Sequence, residues 1–220
     1  MRIVGAEDPN VQRMAKAHLY EFFETQLRDR KIALGSGTGM DEDRLPIDTI
    51  VIHHTSSPAG MSTARLSAIE LVRLYAPYFF NPTSERDAHL KGQPIRSGHV
   101  RDGTQVFWPY HWMVRQGGGV ERLLNDSEIG WHAGDWDINR RSVAIVFDND
   151  YEWGSPGFAE LQAAAQIISR YYGSVSPDRI LGHQEVTPKT NCPSRFFLRK
   201  HHIRGWKDDL LRYVERRAAA

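Results

Sequence analysis

His53 and His54 close an apolar run, Ile50-Val51-Ile52. His183 follows Ile180-Leu181-Gly182, and Cys192 stands nine positions further on, directly before Pro193. Imidazole and thiolate are metal ligands, and a catalytic zinc takes three protein ligands and keeps a fourth position open. Strand ends suit such a site, because the backbone is rigid there and side chains of neighbouring strands converge. Spacing alone leaves a plainer reading open. A lone Cys before Pro also serves as a small buried residue, and a strand-end His also serves as a hydrogen-bonded surface group. The chain has ten His, so most of them have other work.

Several elements position these residues. Asp48 to Thr55 (DTIVIHHT) reads as a strand whose apolar middle suits a central place, covered on both faces. Residues 9 to 31 read as a helix, with Val11, Met14, Ala15, Phe22 and Phe23 near 3.6-residue spacing. Gly35 to Gly39 forms a flexible connector. Ser62 caps a helix running to about Tyr75. Pro77 to Asp102 is a long irregular stretch, a length often tied to function. Gln105 to Arg115 reads as one strand, reversed at Gln116-Gly117-Gly118-Gly119 into Val120–Leu124. Ser142 to Phe147 (SVAIVF) is a second buried strand. Ser155-Pro156 starts a helix to about Tyr172. Arg179 to Gly182 is a short last strand, and Trp206 to Arg216 a final helix with Leu210, Tyr213 and Val214 on one face. The expected fold is α/β, a single domain with a central mixed β-sheet flanked by helices. Residues 1–45 are expected to form an N-terminal helical extension and residues 46–220 the main domain.

The chain has 220 residues and a formal net charge of +1, which gives no overall attraction to nucleic acid. Its single Cys excludes an intramolecular disulfide. No apolar stretch resembles a signal peptide or a membrane span, so synthesis in the cytoplasm is expected. Charge is uneven. Arg195, Arg199, Lys200, Arg204 and Lys207 fall in one stretch without an acid. That stretch reads either as a solvated helix face or as a contact for anionic envelope polymer or lipid.

Four segments occur in order: VIHHT (Val51–Thr55), GWHAG (Gly130–Gly134), NRRSVAIVF (Asn139–Phe147) and GHQEVTPKTNCPS (Gly182–Ser194). Together they resemble the type 2 N-acetylmuramoyl-L-alanine amidases, a family that includes T7-type phage lysozyme and the peptidoglycan recognition proteins. The resemblance runs from about Ile47 to Cys192. It implies a zinc hydrolase, one Zn2+ per chain, that cuts the amide between the lactyl group of N-acetylmuramic acid and L-alanine in peptidoglycan. It implies His53, His183 and Cys192 as metal ligands. Pleating agrees with choosing one His of the pair, since adjacent strand residues face opposite ways. His54 is then expected either as a packed residue or as one that supports the ligands from behind. The resemblance implies Tyr110, in Tyr110-His111-Trp112, and Lys189 as catalytic groups; Tyr110 also reads as one of several core aromatics. It implies His132 and Asn139 as substrate-binding residues, with Asn139 open to the lesser role of fixing a loop. Two features depart from the family pattern. Cys192 stands nine positions after His183 rather than eight, and Ala144 stands where Gly is common.

Three settings fit the resemblance. The first is a phage-type endolysin, acting on the wall after release from the cytoplasm. The second is a peptidoglycan-binding protein that senses without cutting, against which the ligand Cys192 argues. The third is a cytoplasmic amidase recycling muropeptides, a group that usually places Asp at the third ligand. A monomer is expected. A regulatory partner for the N-terminal segment is a further alternative, though nothing in Met1–Arg44 identifies one.

Overall fold

The computed structural model describes residues 8–31, 40–75, 97, 99–199 and 203–218. The Gly35–Gly39 connector, most of the Pro77–Asp102 stretch with His89, and Lys200, His201 and His202 lie outside the described residues. In chain order the first elements are α1 (Pro9–Arg28), β1 (Thr49–His54), α2 (Thr63–Glu70), β2 (His99–Arg101), β3 (Thr104–Val106), β4 (Trp112–Val114) and β5 (Val120–Arg122). They continue with α3 (Trp136–Asn139), β6 (Ser142–Phe147), α4 (Phe158–Tyr171), β7 (Ile180–Gly182), α5 (His183–Val186) and α6 (Trp206–Ala218). Among the described residues, no helix is long and apolar enough to cross a membrane.

The chain forms two compact units. One holds residues 1–42 and 62–108, the other residues 43–61 and 109–220. Residues 62–108 therefore group with the N-terminal helix, a division that sequence patterning did not draw.

In the first unit, Asp8 caps α1, its carboxylate accepting the Asn10 N–H at 2.7 Å, with Pro9 in the first turn. Ser62 caps α2 by accepting the Arg65 N–H at 3.0 Å. That helix passes after Glu70 into a π-helix over Leu71–Tyr75, which ends where the periodicity suggested. Arg65 joins α2 to α1 through Glu24 at 2.7 Å. Strands β2 and β3 form a hairpin about Asp102-Gly103, both at positive φ (50° and 68°), the pairing such two-residue turns favour.

The second unit is built on a five-stranded sheet of order β5-β4-β6-β1-β7. The β4–β5 pair is antiparallel and the other pairs are parallel, so the sheet is mixed as expected. Ile50 and Ile52 of β1, Val143, Ile145 and Phe147 of β6, and Trp112 and Val114 of β4 share one core. Leu161, Ala164 and Ile168 of α4 and Trp206 and Leu210 of α6 belong to it too. By alternation, His53, Ser142 and Ala144 turn to the other face.

The structure corrects two sequence readings. Gln105 to Arg115 is two strands, because Pro109 lies between them and cannot donate to a ladder. Helix α4 begins at Phe158 rather than at Ser155-Pro156. Gly157 is its N-cap, and Glu160 reaches back to accept the Gly157 N–H at 2.8 Å while also taking the Tyr151 hydroxyl.

Candidate metal centre

His53 is the penultimate residue of β1, and its register partner on β6 is Val146. Strand β7 lies on the other side of β1, with Gly182 opposite Ile52. His183 opens the one-turn helix α5 immediately after β7, so two imidazoles arise at adjacent strand ends. Their ring centroids are 4.7 Å apart. The chain then turns back. Thr187 N–H bonds the His183 carbonyl at 2.8 Å, and Gln184 N–H bonds the Cys192 carbonyl at 2.7 Å. Gln184 Nε2 donates to Ser194 O at 2.9 Å, and Cys192 N–H to Thr190 Oγ1 at 3.1 Å. Gly182 makes this fold-back possible. A Cβ there would lie 2.5 Å from the Phe197 ring and 2.9 Å from Pro193 Cδ.

One ligand atom from each of His53, His183 and Cys192 lies within 4.8 Å of the others. Cys192 Sγ is 3.6 Å from His53 Nδ1. That is an ordinary length for a hydrogen bond that involves sulfur. It matches the edge of a zinc tetrahedron, since bonds of about 2.1 Å to nitrogen and 2.3 Å to sulfur put the two atoms about 3.6 Å apart. Burial, then the neighbouring His183, His132 and His54, hold the His53 pKa well below its usual value. An uncharged imidazole with a free lone pair is the form a metal takes. The donor set therefore fits zinc.

Tyr110 stands beside this cluster, buried, with its ring centroid 5.1 Å from that of His53. Its neighbour His111 is a structural piece that the sequence reading left without a role. His111 Nδ1 accepts the Ala144 N–H at 3.1 Å, so Nε2 carries the proton and donates to Glu128 O at 2.9 Å. The Gly130–Gly134 loop is pressed close by, and a Cβ on Gly130 would sit 2.1 Å from Pro109 O. Thr187 Oγ1 donates to Ala133 O at 2.6 Å and ties that loop to the segment carrying Cys192. Lys189 is exposed on that segment. Among the described residues it forms no hydrogen bond or ion pair.

The structure buries both His132 and Asn139. His132 is 6% exposed, with Nδ1 3.1 Å from His53 Nε2 and Nε2 3.1 Å from Ser142 Oγ. Both ring nitrogens thus have partners inside the protein. Asn139 is buried, and its Oδ1 accepts the N–H groups of His132 (3.2 Å) and Ala133 (2.9 Å). It fixes the loop, the lesser of the two roles open to it. Ser142 was not singled out by sequence. Its signal was present: with Ala144 it supplies the small residues that alternate with Val143, Ile145 and Phe147 on β6.

His54 faces the core and is packed, as its pleat position implied. Its Nδ1 accepts the Tyr151 N–H at 2.9 Å, so its proton sits on Nε2, 2.9 Å from Ser56 Oγ. Asp150 lies 3.5 Å from the same Nδ1. The grouping has the residue types of a nucleophilic triad but the wrong tautomer, since a base must accept at Nε2. Burial lowers the pKa of His54 against the pull of Asp150 and Glu152.

The described members of the basic stretch all have acidic partners. Arg195 meets Glu152 at 3.0 Å, Arg199 meets Asp208 at 3.2 Å, Arg204 meets Asp209 at 3.3 Å, and Lys207 meets Glu185 at 2.8 Å. The acids come from outside the stretch, which is why the local sequence did not reveal them.

Residues 43–195 match the Amidase_2 family, N-acetylmuramoyl-L-alanine amidase, and the chain belongs to that family. The resemblance read from the four motifs is thereby borne out. The 1,6-anhydro-N-acetylmuramyl-L-alanine amidase AmpD of Haemophilus influenzae is 23% identical over 96 residues, 40% of this chain and 52% of that protein. The match thus spans about half the length of this relative. Two solved structures are similar. One is the endolysin N-acetylmuramoyl-L-alanine amidase LysCS from Clostridium intestinale, with TM-score 0.47 and 17% identity over 74% of this chain and 86% of that one. The other is the Ph2119 endolysin of a Thermus scotoductus bacteriophage, with TM-score 0.49 and 18% identity over 77% and 86% of the two chains.

Proposed function

We propose that this protein is a zinc-dependent hydrolase that cleaves the amide between the lactyl group of N-acetylmuramic acid and L-alanine in peptidoglycan. The observation that carries the reading is the convergence of His53, His183 and Cys192 beside Tyr110 in a member of this family. Two neutral imidazoles and one thiolate would hold the ion. A zinc ion held there would supply Lewis-acid polarisation of a carbonyl and a lowered pKa for water. The chain's own residues supply the rest. As the amide is attacked, charge develops on the carbonyl oxygen and needs a donor placed in advance. The Tyr110 hydroxyl and the Lys189 ammonium serve that need, one of them also delivering a proton to the departing amine of L-alanine.

The lysis setting is the one the donor set favours, because recycling amidases usually place a carboxylate where Cys192 stands. The recycling reading keeps one observation in its support, the partial match to AmpD. Turnover compared on intact sacculi and on soluble anhydro-muropeptides separates the two settings. For the chemistry itself, digested peptidoglycan should gain L-alanine amino groups without new reducing ends. New reducing ends without amines would mean glycosidic cleavage and would end the proposal. Elemental analysis should find about one zinc per chain, and much less in Cys192→Ser. Full zinc in that variant would remove Cys192 from the site.

A further inference from the structure

His132 lies between a ligand residue and a strand hydroxyl. A continuous row runs from Ser142 Oγ to His132 Nε2 at 3.1 Å, from His132 Nδ1 to His53 Nε2 at 3.1 Å, and from His53 Nδ1 to Cys192 Sγ at 3.6 Å. Ser142 is fully buried and His132 nearly so. The row is rigid. The His53 and His132 rings are near perpendicular at 85°, and Asn139 holds the backbone of residues 132 and 133. Ser142 sits in β6, whose register with β1 fixes its distance from His53.

A neutral imidazole has one ring proton; the nitrogen that bears it donates and the other accepts. Nδ1 of His53 can offer a lone pair beside Cys192 only if the proton is on Nε2. His132 Nδ1 must then accept that proton's hydrogen bond, which puts the His132 proton on Nε2, facing Ser142 Oγ. We infer that His132 and Ser142 are positioning residues, which hold His53 as the Nε2–H tautomer with Nδ1 aimed at the metal position. The inference rests on the metal-centre reading above. Ligating imidazoles commonly donate their second N–H to a carboxylate or a backbone carbonyl. Here a second imidazole accepts it, so the ligand is oriented without a further negative charge beside the metal.

The test has two parts. In the zinc-loaded protein, nitrogen-15 spectra of the imidazoles should show His53 and His132 both protonated at Nε2. A His132 protonated at Nδ1 overturns the inference, and this measurement needs no variant. Zinc affinity is then read by competition with a chromophoric chelator. His132→Phe removes the acceptor and should weaken binding about 10–100-fold, the usual cost of losing such a partner. His132→Asn places an amide oxygen near the Nδ1 position and should restore affinity to within a few-fold. Equal losses in both variants, or none in His132→Phe, overturn the inference. Ser142→Ala should shift the His132 nitrogen signals. If the unaltered chain takes up no zinc, the metal reading itself fails. If it binds zinc but His132→Phe binds as tightly, only the positioning role falls.

Discussion

At the scale of single residues, type and order carried most of the information. A cysteine before Pro193 and imidazoles near two strand ends are few enough to be recognised, and the motifs placed them in sequence. His132 was legible as a site residue, but the positioning role inferred for it was not. That role depends on what lies beyond each ring nitrogen, and Ser142 and His53 reach it only through the sheet. Tyr110 can be tested directly. Its ring lies against that of His53, whereas the proposed chemistry requires its hydroxyl. Tyr110→Phe keeps the ring and should keep both zinc content and melting temperature. Its kcat should drop about 10²-fold, the scale of a lost oxyanion donor. Unchanged turnover would return Tyr110 to the core aromatics.

At the scale of elements, long periodic segments were legible and short ones were not. Strands β1 and β6 and helices α1 and α6 were read nearly to their ends, because apolar alternation or 3.6-residue spacing extends over many residues. The one-turn helices α3 and α5 and the strand β2 are too short to leave a period. They exist through local caps and pairing, as at Gly182, whose N–H bonds Glu185 Oε2 at 2.8 Å. Gly182 also marks where β7 hands the chain to the ligand loop. An added methyl must displace the fully buried Phe197 ring or Pro193, next to Cys192. Gly182→Ala should therefore cost about 1–3 kcal/mol in urea unfolding, the range of overpacked cores, and should also weaken zinc binding. Unaltered stability would mean that the Phe197 ring gives way freely.

At the scale of the whole molecule, charge and topology matter more than any one contact. His53, His132 and His54 are all held below their usual pKa, chiefly by burial. Unfolded, each titrates near about 6.5. The unfolded chain then binds protons that the folded one refuses, so stability is complete above that pH and declines as pH falls below it. The melting temperature of metal-free protein should drop between about pH 6.5 and pH 5.5. A flat profile there would contradict the burial of these rings. The basic stretch should be electrostatically quiet, since acids accompany its described members. Replacing Arg199 and Arg204 with Gln should leave sacculus binding unchanged across a salt series. Weaker binding confined to low salt would show that the pairs open to meet an anionic surface. Topology has a consequence of its own for how the protein comes into being. Strand β1 is made first yet lies inside the sheet, flanked by β6 and β7 from the later half of the chain. Pairing across such sequence distances is slow, because a long loop must close before any contact rewards it. During synthesis, then, His53 finds its β6 partner Val146 before His183 and Cys192 have been made, and a chain truncated ahead of Cys192 lacks one of the three proposed ligands.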